Sequence, residues 1–173
     1  QGASKINAVI PELYFDYKGQ GNFQLLHQTG DKSFDETLAK YKDLGVSLSQ
    51  SCKVLPFIDE VSHAYAWADL VISRSGASTV SELAAVGLPS ILIPYPHHSD
   101  NQQLLNAKWL VDEKAAILIP QSDFNVQNVK DTLLRLMKDR ANLREMGMNA
   151  RRIGIRDATD KIAALCIKAC HDK

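Results

Sequence analysis

The sequence predicts an α/β domain built around a parallel β-sheet. Short apolar runs rich in Val, Ile and Leu alternate, along 173 residues, with longer segments of helical period. The short runs are typical of strands buried on both faces, and the longer segments are typical of amphipathic helices. Their alternation indicates successive βαβ units, and the length suits one domain with its own core.

Apolar runs bounded by turn residues are the predicted strands. They begin at Phe23, Cys52, Asp69, Pro89 and Ala115 and read FQLLHQTG, CKVLPFI, DLVISR, PSILIPY and AAILIP. Helical segments are predicted before the first strand and near residues 33–45, 60–67, 78–86 and 100–113. Three more helices are predicted after Val126, one of them beginning near Asp139, and we expect them to pack on the sheet or on a neighbouring domain.

The chain opens on the helical segment QGASKINAVIPEL, with no Met and no strand before it. That opening predicts a chain cut from a longer protein. The longest apolar stretches, such as LPSILIPY, are far shorter than the roughly 20 residues of a membrane helix, so we expect a soluble chain.

Composition argues against several classes of protein. Twenty Lys and Arg balance twenty Asp and Glu, and no basic block stands out, so no nucleic-acid partner is expected. Three cysteines without a CxxC pair favour a reducing compartment such as the cytoplasm. Cys166, Cys170 and His171 share one predicted helix, but a fourth ligand at metal-site spacing is missing, which favours helix packing over a metal site.

The segment DLVISRSGASTVSELAAVGLP is typical of one complete β-turn-α unit. A strand leads into a Ser-Gly-Ala-Ser turn, and the following helix ends at Gly87, an expected C-terminal cap, with Pro89 just beyond. Ligands of open α/β sheets bind beyond the carboxyl ends of the strands, where a helix N-terminus presents unpaired N–H groups and a positive dipole end. The turn therefore suits a phosphate group.

The residue types of this turn fit a diphosphate and a ribose. Small residues let the backbone approach an anion closely, hydroxyls donate hydrogen bonds, and an arginine adds a forked permanent charge. The residues concerned are Arg74, Ser75, Gly76, Ala77, Ser78 and Thr79. One helical turn further, Glu82 offers two acceptor oxygens of the kind that bind ribose hydroxyls. On spacing alone a second interpretation stays equally open, in which these residues only cap a helix and permit close helix–strand packing.

Two neighbouring predicted strands end in further candidates. The loop after PSILIPY carries polar side chains that could bind sugar hydroxyls, namely His97, His98, Asp100, Asn101, Gln102 and Gln103. The two histidines could instead be bases or metal ligands, but the carboxylates nearby lack ligand spacing, which favours a solvated or structural role. After CKVLPF, the backbone N–H and C=O of Ile58 could meet a planar base, whereas Tyr65 and Trp67 are predicted core residues.

The block AYAWADLVISRSGASTVSELAAVGLPSILIPYPH, followed by DNQQLLNA, resembles the C-terminal half of the MurG family, bacterial glycosyltransferases that make lipid II. The opening QGASKIN resembles the stretch after the first strand and glycine loop of that half. The resemblance implies a Rossmann-like parallel sheet with helices on both faces, one half of a two-Rossmann-domain GT-B enzyme. Residues 1–173 would be the C-terminal UDP-sugar (donor) domain, with the first strand and the amino-terminal acceptor domain missing from the chain.

The resemblance also implies an activity. Family members are inverting transferases that move N-acetylglucosamine from UDP-N-acetylglucosamine to lipid I, which forms lipid II for peptidoglycan synthesis. The full-length protein would lie on the cytoplasmic face of the bacterial plasma membrane. Contacts with lipid I and the membrane surface, and the general base, would belong to the amino-terminal domain, so this chain should bind the donor without turnover. No catalytic residue in this chain, no metal and no cofactor are expected.

The family roles carry over residue by residue. Ile58 should contact uracil through its backbone, Arg74 should lie at the nucleotide pocket, and Glu82 should bind the ribose hydroxyls. The stretch lining the diphosphate and ribose should be Ala77, Ser78, Thr79, Val80 and Ser81. Gln102 and Gln103 match a polar pair that faces the donor sugar, although family members often have His in place of Gln102.

Two other functions stay open at this level. The chain could be a stand-alone donor-binding subunit of a two-chain UDP-N-acetylglucosamine transferase, which its Met-less opening argues against. It could also be a regulatory module that binds a nucleotide sugar without catalysis, and the presence of Glu82 and of both glutamines makes this a weaker candidate.

Overall fold

The computed structural model describes residues 3–18, 23–97 and 100–171. Within these ranges the strands are β1 (Leu25–Gln28), β2 (Cys52–Leu55), β3 (Val71–Ser73), β4 (Ser90–Leu92) and β5 (Ala116–Leu118). The α-helices are α1 (Ser4–Tyr17), α2 (Phe34–Asp43), α3 (Val61–Trp67), α4 (Ala77–Val86), α5 (Gln102–Asp112), α6 (Val126–Lys138), α7 (Arg140–Ile153) and α8 (Ala158–His171). Every strand lies inside its predicted apolar run, and every predicted helix is present.

The strand pairs in the described part of the chain are all parallel, which confirms the α/β prediction. β1 pairs with β2, with Leu25 opposite Cys52. β4 lies between β3 and β5, with Ser90 opposite both Val71 and Ala116. The described strands form two sheets, β1–β2 and β3–β4–β5, and the winding order of this fold class would have its first strand between β1 and β3. A first strand at that place stays a prediction.

Helices cover both faces of the β3–β4–β5 sheet, as the predicted architecture requires. Successive residues of a strand point to opposite faces of its sheet. Ile91 packs into a cluster with side chains of α1, α6 and α7, whereas Leu92 packs into a second cluster with side chains of α4 and α5. Both residues are fully buried, so β4 forms the centre of the core.

Helix α7 packs so closely on α4 that glycine is required at their contacts. A Cβ on Gly154 would lie 2.3 Å from the Ala84 carbonyl oxygen, and a Cβ on Gly147 would lie 2.9 Å from the Gly87 carbonyl oxygen. Gly87 ends α4 in the left-handed conformation, with φ 84°, as the predicted C-terminal cap. These contacts set the position of α4, the helix that follows the predicted phosphate turn.

A closed polar network lies between α1, β1 and α2. His27 accepts at Nδ1 from the Tyr41 hydroxyl (2.9 Å) and donates from Nε2 to Asn7 Oδ1 (3.0 Å). Asn7 Nδ2 donates to the Thr29 carbonyl oxygen at 2.9 Å, which orients the amide so that its oxygen faces the imidazole. All four residues are buried. Burial lowers the pKa of His27 to about 4, so the ring is neutral in the folded protein.

Helix α8 differs from the other helices because residues 158–170 are all exposed. Leu165, for example, is 66 % exposed. The packing role favoured for Cys166 and Cys170 is wrong within this domain, since both are exposed. Helices α6 and α7 pack on the core as predicted, whereas packing of α8 on a neighbouring domain stays a prediction.

Residues 3–18, 23–97 and 100–171 contain no membrane-spanning helix and no metal-binding cluster. None of the helices in these ranges is both long and apolar enough to cross a membrane. In the same residues, no group of three or more His, Cys, Asp or Glu side chains is placed to hold a metal ion. Cys52 is buried in β2, where burial raises the pKa of its thiol to about 11 and keeps it protonated.

Candidate functional site

The predicted site residues follow the carboxyl ends of three strands. Ile58 lies after β2, Arg74 and the turn at 75–79 lie after β3, and Gln102 and Gln103 begin α5, after β4. Because β3 and β4 are parallel neighbours, their carboxyl ends meet at one edge of the sheet. The sheet therefore brings the β3 turn and the start of α5 side by side.

Ser75 fastens the turn to α5. Its hydroxyl donates to the Gln103 carbonyl oxygen at 2.7 Å, and Asn106 Nδ2 donates to the Ser75 carbonyl oxygen at 3.1 Å. Ser75 is fully buried, and the single donor of its hydroxyl is used in this contact. The predicted role of Ser75 as a hydroxyl donor to phosphate is thus corrected to a structural one. Asn106, which sequence analysis did not name, shares that role.

Gly76 occupies the N-cap position of α4. It has no side chain to accept a hydrogen bond, and the first turn of α4 contains no acidic residue. The interpretation in which Ser75 or Ser78 caps this helix is therefore wrong, because neither residue holds the cap position. The first N–H groups of α4 are left for water or a ligand, together with the positive end of the helix dipole.

The predicted ligand residues in the first turns of α4 differ in their exposure. Thr79 is half-buried, and the exposed residues are Ala77, Ser78, Ser81 and Glu82. Val80 is buried in the cluster between α4 and α5. Its side chain cannot contact a ligand at the edge. Val80 could therefore line the predicted site only through its backbone.

Arg74 ties together the segments that follow β4 and β5. Its Nη1 donates to the carbonyl oxygens of Ile93 (3.1 Å) and Pro94 (3.3 Å), and its Nη2 donates to Gln121 Oε1 (2.5 Å). The guanidinium carbon lies 5.5 Å from the centre of the Tyr95 ring. Burial lowers the pKa of Arg74, but a guanidinium stays protonated at neutral pH. The edge therefore carries a fixed positive charge, while a contact from Arg74 to a ligand stays a prediction.

Glu82 is held by a tyrosine from the neighbouring helix. The Tyr65 hydroxyl donates to Glu82 Oε2 at 2.9 Å. Tyr65 is only half-buried, and Trp67 is 50 % exposed. The prediction that both belong to the core is wrong for Trp67 and incomplete for Tyr65, whose ring packs on the core while its hydroxyl reaches the site.

Gln103 is oriented by the backbone of the preceding loop. Its Oε1 accepts from the Tyr95 N–H at 3.0 Å. An amide whose oxygen is occupied in this way is left with its NH₂ group as the available donor. The side chain is therefore fixed as a donor at the predicted sugar end of the site.

The loop before α5 is less tightly held than Gln103. Gln102 is exposed, and its N–H donates to Asp100 Oδ1 at 3.3 Å. Asn101 adopts a left-handed conformation with φ 51°, which asparagine tolerates better than most residues. The His97 ring is exposed and meets the Tyr95 ring edge-on at 5.3 Å. His98, the other predicted histidine of this loop, lies outside the described residues.

The backbone N–H of Ile58 has a partner in this structure. It donates to Gln28 Oε1, at the end of β1, at 3.1 Å. Ile58 is half-buried and Gln28 is exposed, so this contact lies where solvent or a ligand can compete for it. Gln28 was not identified from the sequence, because nothing in its local pattern indicates which backbone amide it reaches.

An open cleft of about 400 Å³ lies beside this edge, lined by Ser4, Tyr95, His97 and Gln121. Tyr95 and Gln121 are also contacts of Arg74. Ser4 is the first residue of α1. The volume falls in the range of small-molecule sites, so the edge has room for a ligand beside its polar groups.

Comparison with known proteins identifies relatives. Residues 1–162 match the glycosyltransferase family 28 C-terminal domain. The chain is 43% identical to a UDP-N-acetylglucosamine--N-acetylmuramyl-(pentapeptide) pyrophosphoryl-undecaprenol N-acetylglucosamine transferase of Shewanella frigidimarina, over 95% of this chain and 44% of that protein. It is 40% identical to the protein of the same description from Halorhodospira halophila, over 99% of this chain and 47% of that protein.

Solved structures agree with these relatives. The crystal structure of MurG from Acinetobacter baumannii superposes with a TM-score of 0.84 at 33% identity, covering 97% of this chain and 47% of that one. A glycotransferase of kitacinnamycin, only 16% identical, shares the fold with a TM-score of 0.60. The chain spans about half the length of the curated relatives it matches. This chain belongs to the glycosyltransferase family 28 C-terminal domain family.

Proposed function

We propose that this chain is the donor-binding domain of an N-acetylglucosamine transferase that acts in peptidoglycan synthesis. In this proposal the whole enzyme moves N-acetylglucosamine from UDP-N-acetylglucosamine to lipid I and releases UDP, as the names of its relatives describe for those proteins. The domain holds the donor, and lipid I and the membrane surface meet an amino-terminal domain. The enzyme works at the cytoplasmic face of the plasma membrane.

The observation that carries the proposal is the convergence of three polar groups at one sheet edge. The Ser75 hydroxyl bonds the Gln103 carbonyl oxygen, which ties the turn before α4 to the start of α5. Gln103 presents an amide donor next to this turn, and Glu82 lies roughly 7–8 Å further along α4 from its first residue. That span suits a diphosphate at the turn, with a ribose on one side and a sugar on the other.

The chemistry asked of this domain is binding and charge stabilisation. When the glycosidic bond to UDP breaks, negative charge develops on the diphosphate leaving group. Preorganised donors at that place lower the barrier because they need not reorganise during the reaction. The N–H groups of the α4 start and the Arg74 guanidinium are the groups that would supply them, while Gln103 and Glu82 would hold sugar and ribose in line.

A titration of the chain with UDP-N-acetylglucosamine and with UDP tests the proposal. We expect both ligands to bind saturably, and isothermal titration calorimetry measures their affinities. Glu82→Ala should weaken both by about tenfold or more, because charge-assisted hydrogen bonds are each worth about 1.5–3 kcal/mol. Glu145→Ala removes an exposed carboxylate from α7 and serves as the matched control. Equal affinity of the wild type and Glu82→Ala would contradict the ribose assignment.

A further inference from the structure

We propose that Tyr65 is a positioning residue that holds the Glu82 carboxylate in the orientation that binds the ribose hydroxyls of the donor. The inference rests on the proposed function. Its basis is the 2.9 Å hydrogen bond from the Tyr65 hydroxyl to Glu82 Oε2. Glu82 is exposed on α4, so without such a bond its side chain would sample many rotamers in water.

Tyr65 is packed against the core and can therefore restrict the conformation of the Glu82 carboxylate. Its ring is half-buried and packs on the apolar cluster that includes Val80, Leu83 and Leu110. A tyrosine has two side-chain torsions, and packing of the ring fixes both. A glutamate has three, and none of them is fixed by burial here. The hydrogen bond therefore ties a mobile group to a rigid one.

The Tyr65 hydroxyl must be the donor in this hydrogen bond and the Glu82 carboxylate the acceptor. A carboxylate only accepts, so the tyrosine hydroxyl is the donor. Burial, and then the Glu82 carboxylate, raise the pKa of Tyr65 well above its usual range, so the donor is retained at all physiological pH values. Within the described residues, Glu82 Oε1 has no hydrogen-bond partner of its own. It is left to accept from a ribose hydroxyl.

This role has a signature that general stabilisation lacks. If Tyr65 acts through Glu82, its hydroxyl matters only for ligands that carry the hydroxyl which Glu82 binds. Removal of the Tyr65 hydroxyl should then weaken UDP more than 2′,3′-dideoxy-UDP, which lacks both ribose hydroxyls. A tyrosine that served only to support α4 would affect both nucleotides alike.

Calorimetric titrations of UDP and 2′,3′-dideoxy-UDP into the wild type, Tyr65→Phe, Glu82→Ala and the double variant test the inference. We expect Tyr65→Phe to weaken UDP by about three- to tenfold and 2′,3′-dideoxy-UDP by less than about twofold. In the Glu82→Ala background, Tyr65→Phe should have no further effect, because the two residues act as one unit. Tyr17→Phe is the matched control, since the Tyr17 hydroxyl donates instead to the Lys130 carbonyl oxygen.

The outcomes separate the inference from the proposed function. If Glu82→Ala weakens UDP but Tyr65→Phe does not, the inference is overturned and the ribose assignment stands. Equal weakening of both nucleotides by Tyr65→Phe, or effects that add in the double variant, would also overturn the inference. Failure of the wild type to bind UDP would overturn the proposed function and the inference together.

Discussion

The two halves of this domain treat their polar side chains in opposite ways. Between α1, β1 and α2, the side chains of Asn7, His27 and Tyr41 are buried and bonded to one another. At the carboxyl ends of β3 and β4, Gln103 is half-buried and Glu82 is exposed, and each is held at one oxygen by one partner. We call the first the closed network and the second the open edge.

The difference separates stability from binding. A buried network with every group paired leaves nothing to offer a ligand, and its loss leaves buried polar atoms unpaired at high cost. A polar group that is oriented at one atom and free at another is prepared for a ligand at little cost. We therefore expect changes in the closed network to alter folding stability, and changes at the open edge to alter nucleotide affinity.

The largest expected effect comes from crowding the support of the open edge. Gly154→Ala would place a Cβ 2.3 Å from the Ala84 carbonyl oxygen, and backbone atoms of α4 cannot yield without moving the helix. Gly154 has φ −68°, which alanine also adopts, so backbone strain at this residue adds nothing to the crowding. We expect the free energy of unfolding to fall by about 3 kcal/mol in urea denaturation. Gly147→Ala, with a Cβ 2.9 Å from the Gly87 carbonyl oxygen, should lower the free energy of unfolding by less. An unchanged free energy of unfolding in Gly154→Ala would contradict the close packing of α7 on α4.

The closed network predicts a specific dependence of stability on pH. The pKa of His27 is about 4 in the folded protein and about 6.5 for an unperturbed histidine. As pH falls, the unfolded chain binds the proton first, so this stabilisation is complete above pH 6.5 and is lost progressively towards pH 4. We expect a loss of about 2.5 kcal/mol across this window in urea denaturation.

His27→Gln is the control for that prediction. It removes the titrating group, so the loss of stability between pH 6.5 and 4 should become smaller than in the wild type. UDP affinity at pH 7 should be unchanged, because among the described residues no hydrogen bond joins the closed network to Glu82 or Gln103. The same pH dependence in both proteins, or a loss of UDP affinity in His27→Gln, would contradict the division into two halves.

The smallest expected effect concerns Gln28, which extends from the end of β1 towards the predicted base site. Its Oε1 holds the N–H of Ile58, and one N–H makes one good hydrogen bond, so uracil and Gln28 compete for it. Gln28→Ala should therefore raise UDP affinity by about two- to fivefold, the worth of a typical net hydrogen bond. Gln24→Ala, an exposed glutamine just before β1, is the control. Weaker UDP binding by Gln28→Ala would mean that Gln28 supports the Ile58 loop instead.

Much of the site was accessible from the sequence because its signals are local. The β-turn-α unit at 69–89 depends on an apolar run, a glycine-containing turn and the left-handed cap at Gly87, and each is encoded within a few residues. Parallel pairing then follows from the alternation of strands and helices, and it brings Ser75 and Gln103 to one edge. Two site residues that were predicted from separate sequence patterns therefore lie next to each other in the fold.

The errors arose where burial depends on packing between distant elements. Trp67 looked like a core residue by type, yet it is 50 % exposed and belongs to none of the three apolar clusters of the described residues. Ser75 looked like a phosphate ligand by position, yet its hydroxyl donates to the Gln103 carbonyl oxygen in α5. Neither outcome depends on neighbours in the sequence, so no local pattern could reveal it.

Local sequence patterns are enough to predict the α/β class, the order of strands and helices, and the turn at the start of α4, since all of these follow from periodicity and from the conformations that glycine permits. Which polar atoms remain available to a ligand depends instead on how distant segments pack. The partners of Glu82, Ser75 and the Ile58 N–H come from 17, 28 and 30 residues away. Their hydrogen-bonding capacity is set by contacts that exist only after the chain has packed.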